Sequence, residues 1–213
     1  MVTPQTLFEL LNSTKKMNDP FFKTYENQLP KDFCEHLISK FEQSPLKHPG
    51  LVFSSSIGKE KGSLDLELKK STDLCISHHP NFEPEDTFLK YNLDVVMEDY
   101  FLKLVGNDPP YFTTLTDTGF QVQKTKPGEM FNWHSDDNNC LSELRRLAYI
   151  WYLNDVEEGG ETEFITGVKI TPETGKCIVF PATWTYKHRG MTPVSNTKYI
   201  CTGFIIQNVA RVK

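Results

Sequence analysis

The strongest constraint on the fold of this chain is a series of short alternating segments that follows Pro110. Polar and apolar residues alternate within them, and turn-forming sequences such as Pro127-Gly128 and Glu158-Gly159-Gly160 separate them. The expected strands are residues 120–124, 131–136, 147–153, 162–164, 167–170, 176–180, 187–189 and 198–206. Many short strands at close spacing are typical of an all-β sandwich or barrel. The sequence therefore predicts a β architecture for the C-terminal half.

The N-terminal half carries apolar residues at helical spacing instead. Phe33, Leu37 and Phe41 recur every four residues, which predicts a helix over residues 31–43. A longer apolar stripe predicts a second helix over residues 87–105. The members of this stripe are Leu89, Leu93, Val96, Met97, Tyr100, Phe101 and Leu104. Both helices should pack one face against the rest of the protein.

Two further N-terminal segments have weaker patterns. Residues 7–15 predict a short helix, and residues 44–63, rich in Ser, Gly and Lys, predict a long loop or hairpin. We expect residues 1–213 to form one domain, in which residues 1–110 give a helical and loop support and residues 111–213 give the core. The expected fold class is α+β, mainly β, with a double-stranded β-helix (jelly roll) buttressed by N-terminal helices.

Charge and cysteine content argue against several classes of protein. The net charge is −5 and Lys/Arg runs never exceed two residues, whereas a dedicated nucleic-acid binder usually has a basic face. The apolar runs are shorter than a membrane span requires, and no signal-peptide pattern opens the sequence. The five cysteines are widely spaced without a CxxC pair, as in proteins with reduced thiols. We expect a cytoplasmic protein that binds neither nucleic acid nor a membrane.

One short motif in the β region carries metal-binding chemistry. His134-Ser135-Asp136 falls on an expected strand, where side chains two residues apart point to the same face. His188 lies on a later expected strand. Two histidines and one carboxylate form a facial triad, which leaves other positions of the metal ion open. By itself a His-x-Asp sequence is better explained by a turn histidine and a surface aspartate, so its context decides.

That context resembles a known family. Four segments of this chain carry the resemblance: QVQKTKPGEMFNWHSD at 121–136, YLNDVEEGGETEF at 152–164, FPATW at 180–184 and HRGMTPVSNTKY at 188–199. Together they resemble the prolyl 4-hydroxylase-like branch of the 2-oxoglutarate/Fe(II)-dependent dioxygenase superfamily, over roughly residues 115–207. The resemblance implies a jelly-roll fold, Fe(2+) as the metal, and 2-oxoglutarate and O2 as co-substrates. Relatives often also use ascorbate to rescue oxidised iron.

The resemblance also implies roles for individual residues. It assigns His134, Asp136 and His188 to the iron, and Lys198 to the distal carboxylate of 2-oxoglutarate. A buried dicarboxylate needs such a charged partner, because its desolvation is costly. Tyr152 is expected to hydrogen-bond the same carboxylate, although a core tyrosine would fit its position equally well.

Three positions bear on co-substrate affinity and substrate binding. Many relatives carry a co-substrate-binding tyrosine where this chain has Thr125, so either another donor such as Tyr152 replaces it or affinity is lower. Arg145 falls where some relatives place a substrate-contacting arginine, and a surface role is the alternative. Trp184 is a candidate for the mouth of the site, and core packing is its alternative.

The activity implied is hydroxylation of an aliphatic C–H bond, in the first place on a prolyl residue of a peptide or protein. Hydroxylation of a free amino acid or another small molecule is an alternative, since fold alone does not define the substrate. A further alternative is a non-enzymatic jelly roll that binds zinc through the same three residues. Lys198 and the open metal positions distinguish an oxygenase from a closed zinc site. The sequence does not predict the oligomeric state.

Overall fold

The computed structural model describes residues 19–52, 62–106, 115–137 and 143–208. The helix predicted over residues 7–15 and the middle of the loop predicted over residues 44–63 lie outside these ranges. None of the helices in the described ranges is long and apolar enough to cross a membrane.

Among the described residues, two α-helices lie in the N-terminal half, as the apolar periodicity predicts. Helix α1 spans Lys31–Gln43, and helix α2 spans Glu83–Val105 after a 3-10 turn at Pro80–Phe82. Helix α2 begins four residues before the predicted start. Pro84 lies in its first turn, where the fixed backbone angle of proline suits a helix start. The acidic side chains of the same turn stabilise the helix by their attraction to the positive end of its dipole.

Twelve β-strands occur in the described residues and form two antiparallel sheets. They are β1 Lys23–Tyr25, β2 His48–Pro49, β3 Thr72–Cys75, β4 Leu115–Asp117, β5 Gln121–Thr125, β6 Phe131–His134, β7 Glu143–Tyr152, β8 Thr162–Phe164, β9 Lys169–Ile170, β10 Cys177–Pro181, β11 His188–Gly190 and β12 Lys198–Asn208. The major sheet has the order β1-β10-β7-β12-β5-β3-β2, with β4 also paired to β12. The minor sheet has the order β6-β11-β8-β9. The predicted mainly-β jelly roll with supporting helices is confirmed.

The two faces of the major sheet bury different sets of residues, because alternate side chains of a strand point to opposite faces. On strand β7, Tyr149 and Trp151 join the core cluster that also contains the apolar stripes of both helices. Ile150 and Tyr152 belong to a second, smaller cluster with Phe164 of the minor sheet. This second cluster lies between the sheets, and the candidate site adjoins it.

Polar contacts fix helix α1 to its surroundings. Glu85 of helix α2, which is almost fully buried, accepts hydrogen bonds from Lys40 and His36, both at 2.7 Å. Glu42 accepts hydrogen bonds from Lys124 on β5 and from the Tyr199 hydroxyl on β12, both at 2.6 Å. Helix α1 is thereby tied to the two strands that carry Thr125 and Lys198.

Candidate metal centre and co-substrate cavity

Two histidines and an aspartate converge at the end of the minor sheet. His134 is the last residue of β6 and His188 the first of β11, and the two are directly paired in the sheet. Asp136 Oδ1 lies 3.8 Å from His134 Nε2, and Asp136 Oδ2 lies 3.7 Å from His188 Nε2. One ligand atom from each residue falls within 4.8 Å of the others. This spacing suits a single metal ion.

The structure corrects the expected position of Asp136. The strand predicted over residues 131–136 ends at His134, and Asp136 lies in irregular structure beyond it. The pairing gives the reason: β11 begins at His188, opposite His134, so Ser135 and Asp136 have no partner residue on that strand. The irregular backbone after the strand, rather than the alternation of strand side chains, therefore brings the Asp136 carboxylate to the two histidines.

Backbone carbonyls hold both imidazoles with Nε2 facing the aspartate. His134 Nδ1 lies 2.7 Å from Asn132 O, and His188 Nδ1 lies 3.0 Å from Tyr186 O. A carbonyl oxygen only accepts a hydrogen bond, so each Nδ1 carries the proton and each Nε2 keeps a free lone pair. Burial, together with the neighbouring His188, lowers the pKa of His134 to about 4. The neutral imidazole that binds metals is therefore the stable form at neutral pH.

A cavity of about 80 Å³ adjoins the three ligands. It is lined by Gln123, Thr125, Phe131, His134, Asp136, Ile150, Thr162, His188, Gly190, Lys198, Ile200, Thr202 and Phe204. Gly190 keeps part of it open, because a Cβ at this position would lie 3.4 Å from Lys198 Nζ and 3.6 Å from the Cβ of Phe131. The cavity thus joins the candidate metal ligands at the end of the minor sheet to a lysine on the major sheet.

Lys198 is the buried charge of this cavity. Its exposed fraction is 4%, and its Nζ donates a hydrogen bond to the Gly160 carbonyl at 2.8 Å. Burial lowers its pKa to about 8, and the nearby Glu161 opposes that shift. Thr125 is the paired neighbour of Lys198 across β5 and β12 and also lines the cavity. An anion bound here would gain a charge-assisted contact in a desolvated setting.

Tyr152 contacts the cavity through another residue. It is fully buried and absent from the cavity lining, and its hydroxyl donates a hydrogen bond to Thr162 Oγ1 at 2.6 Å. Since that bond occupies a lone pair of Thr162, the hydrogen of the Thr162 hydroxyl remains for an acceptor in the cavity. Sequence reasoning missed Thr162, although it lies in the same quoted motif as Tyr152 and falls on the strand predicted over residues 162–164.

The two residues expected to contact substrate lie in different surroundings. Arg145 lines a wider groove of about 510 Å³ that opens beside His134 and Asp136. Its guanidinium lies 3.8 Å from the centre of the Phe204 ring, and it donates a 3.4 Å hydrogen bond to the Asp136 carbonyl. Trp184 is 73% exposed on a short 3-10 helix and lines neither the groove nor the cavity. The structure thus brings Arg145, but not Trp184, to the site.

Comparison with known proteins agrees with this geometry. Residues 120–206, which include His134, Asp136, His188 and Lys198, match the family model of the 2OG-Fe(II) oxygenase superfamily. The match covers less than half of the chain, so the chain is similar to this superfamily over its β region. Prolyl 4-hydroxylase 5 of Arabidopsis thaliana is 29% identical over 171 residues, which cover 75% of this chain and 52% of the relative. The chain spans about half the length of the curated relatives it matches.

Solved structures share the fold. A viral collagen prolyl hydroxylase from Paramecium Bursaria Chlorella virus-1, in complex with 2-oxoglutarate, superposes with a TM-score of 0.64 at 19% identity, covering 89% of this chain and 97% of that one. A Trichoplax adhaerens prolyl hydroxylase, in complex with a peptide fragment of the hypoxia inducible factor, gives a TM-score of 0.71 at 16% identity, covering 89% and 85%. The superfamily whose model matches residues 120–206 is one of oxygenases that use Fe(II) and 2-oxoglutarate.

Proposed function

We propose that the protein is an Fe(II)- and 2-oxoglutarate-dependent dioxygenase that hydroxylates a prolyl residue in a peptide or protein. One observation carries the proposal: a two-histidine, one-carboxylate cluster and a buried lysine line the same cavity. The lysine charge suits the distal carboxylate of a dicarboxylate whose other end binds the metal.

The ligand set favours a catalytic metal over a structural one. A structural zinc site is normally closed by four protein ligands, and the cluster found among the described residues offers three. His134, Asp136 and His188 all border the cavity, so the remaining metal positions would face space rather than protein. Iron with two histidines and one carboxylate is the arrangement used by non-haem oxygenases.

The chain's own residues would hold and orient the reactants. His134, Asp136 and His188 bind the metal, and Lys198 with Thr162 receives the distal carboxylate of 2-oxoglutarate. Iron held there would supply the chemistry that couples decarboxylation of 2-oxoglutarate by O2, giving succinate and CO2, to hydroxylation of a C–H bond. Apolar walls, including Ile150, limit the access of water to this reaction.

The groove beside the metal ligands supports a peptide as substrate. It is wider than the co-substrate cavity and contains Arg145, Gln121, Gln123 and Asp137, which offer polar contacts to a peptide backbone. The relatives named above are prolyl hydroxylases, and one of them was solved with a peptide. Both facts support prolyl hydroxylation over hydroxylation of a free amino acid.

Succinate formation tests this function. The protein would be incubated with Fe(II), 2-oxoglutarate, ascorbate and O2, with and without a proline-rich peptide. We expect succinate to rise with peptide, a mass increase of one oxygen atom on proline, and loss of both in His134→Ala. A matched control is His36→Ala, which changes a histidine remote from the cavity. Succinate that is indifferent to peptide would reject the proposed substrate, and no succinate at all would reject the enzyme.

A further inference from the structure

A buried ion pair lies beside the metal centre without contributing a ligand to it. Lys69 Nζ lies 2.6 Å from Asp73 Oδ2, and the exposed fractions of the two side chains are only 4% and 1%. The second oxygen of Asp73 accepts a 2.7 Å hydrogen bond from the Ser71 hydroxyl. Lysine and aspartate are rarely buried, so this pair calls for a physical reason.

The pair joins the two sheets next to the metal ligands. The chain at Lys69 runs along β6 of the minor sheet, since Asn132 N donates to Leu68 O and Lys70 N donates to Met130 O, both at 2.7 Å. Asp73 lies on β3 of the major sheet, opposite Gln123 of β5. The ion pair therefore links the strand that carries His134 to the sheet that carries Lys198.

The ammonium of Lys69 also begins a short stack that ends on a metal ligand. Its Nζ lies 5.0 Å from the centre of the Phe131 ring, within the range of a cation–π contact. The Phe131 ring in turn stacks on the His134 imidazole, with centres 3.5 Å apart and planes 8° from parallel. Phe131 is thus held between a fixed cation and the imidazole.

Stability alone does not explain the pair. Removing two charges from water is costly, and replacing a buried pair by apolar residues of similar size is often neutral or stabilising. A buried pair does fix geometry, however, because each charge strongly favours one position of its partner. The benefit expected here is therefore the exact placement of the groups that the pair contacts, which are Phe131 and, through it, His134.

We propose that Lys69 and Asp73 are positioning residues that lock Phe131 against His134 and so set the imidazole in its metal-binding orientation. The proposal rests on the proposed function only in taking the His134 cluster to bind a divalent metal. Groups that orient a metal-binding histidine commonly change metal affinity 10- to 100-fold when removed. The Asn132 carbonyl already holds Nδ1 of His134, and the ion pair adds a second constraint on the imidazole through Phe131.

Titration with Co(II), without 2-oxoglutarate and without O2, tests this directly. The variant is Lys69→Met/Asp73→Leu, which removes both charges together and leaves neither one buried alone. We expect Co(II) affinity to fall roughly tenfold or more, with an altered cobalt absorption spectrum and a melting temperature at or above that of the wild type. The matched control is Lys31→Met/Glu35→Leu, an exposed pair with the same sequence spacing, which should change none of these.

A second variant tests whether the ion pair acts on His134 through the Phe131 ring. Phe131→Leu leaves the ion pair in place and should weaken Co(II) binding by a similar factor. Combining it with Lys69→Met/Asp73→Leu should cause little further loss, because both changes break one chain of contacts. Unchanged Co(II) affinity in either variant would overturn the proposal, and so would fully additive losses. Wild-type protein that binds Co(II) but forms no succinate would contradict the proposed function and leave this inference intact.

Discussion

The two ends of the cavity are built from different kinds of β-structure. The two histidines proposed as metal ligands lie on the minor sheet, whose described strands have two to four residues, and Asp136 lies beyond the end of its strand. Lys198 begins an 11-residue strand of the major sheet, paired on both sides and backed by the helices. The lysine end of the cavity is therefore formed by strands that are paired on both sides, whereas the metal end opens onto the groove where substrate would arrive.

This difference explains how each end is stabilised. The long strands place Lys198 by many backbone hydrogen bonds and need few side-chain contacts to do so. The short strands of the minor sheet depend on added contacts, including the Phe131 stack on His134 and the packing of Phe164 and Phe180 against His188. We therefore expect substitutions around the metal end to act on metal binding, and those at the lysine end to act on 2-oxoglutarate.

The largest effect is expected at the metal end. Asp136→Ala removes the one carboxylate of the cluster and should lower succinate formation at least about 100-fold. Co(II) affinity should fall in parallel, while the fold is kept, because Asp136 lies outside the strand pairing. Calorimetric metal titration and a thermal melt of the same sample measure the two effects separately. Near-normal turnover would show that the carboxylate is not a ligand.

The next effect is expected at the lysine end. Lys198→Met should raise the KM for 2-oxoglutarate roughly 10- to 150-fold, as expected for a lost charged hydrogen bond. The cofactor-free protein should gain stability at pH 7, because burial of the ammonium disfavours the folded state. Steady-state kinetics and thermal melts measure the two changes. An unchanged KM would place the distal carboxylate elsewhere.

The pH dependence of the KM for 2-oxoglutarate also tests the role of the Lys198 charge. The pKa of Lys198 is lowered to about 8 in the folded protein, and only the charged form attracts a carboxylate. As pH rises above about 8 the ammonium is lost, so we expect the KM for 2-oxoglutarate to rise up to tenfold per pH unit. Lys198→Arg should flatten this dependence, because arginine stays charged. A KM independent of pH between 7 and 9 in the wild type would contradict the assignment.

The same pKa has an opposite consequence for the stability of the free protein. From about pH 8 to the ordinary lysine pKa of 10.5, the unfolded chain binds more protons at this residue than the folded one does. The Lys198 contribution to the free energy of unfolding therefore increases with pH in that window. The melting temperatures of the wild type and of Lys198→Met should therefore approach each other as pH rises through this window.

The smallest effect concerns the hydroxyl pair beside Lys198. Thr162→Val removes the donor that faces the cavity and should raise the KM for 2-oxoglutarate about fivefold. Tyr152→Phe removes only the contact behind it and should raise the KM by less. Kinetics of the two variants under identical conditions compare them. A larger effect of Tyr152→Phe would support the direct contact expected from the sequence over the indirect one found in the structure.

Part of this architecture was predictable from sequence because it depends on local patterns. The strand at Thr162–Phe164 and helix α1 have the predicted bounds, and His134 and His188 were expected to meet. Strands β1 to β4 were missed, because segments of two to four residues carry too little alternation and form only by pairing with distant strands. Their existence is a property of tertiary structure.

The polar contacts of the site were the least predictable part. Lys69 and Asp73 stand four residues apart, a spacing that suggests an exposed helical pair, yet they bridge two sheets in a buried position. The expected contact of Tyr152 with the co-substrate could not be separated from a contact through Thr162, because a hydroxyl can be directed either way by the opposite strand. Such details depend on long-range packing.

Calorimetric titration of 2-oxoglutarate without O2 tests the central claim most directly, namely that one cavity holds the metal and the co-substrate together. The claim predicts tight binding to the Fe(II)-loaded wild type, and binding weakened at least about tenfold when either the metal or the Lys198 charge is removed. Equal binding to the metal-free protein, or to Lys198→Met, would contradict it.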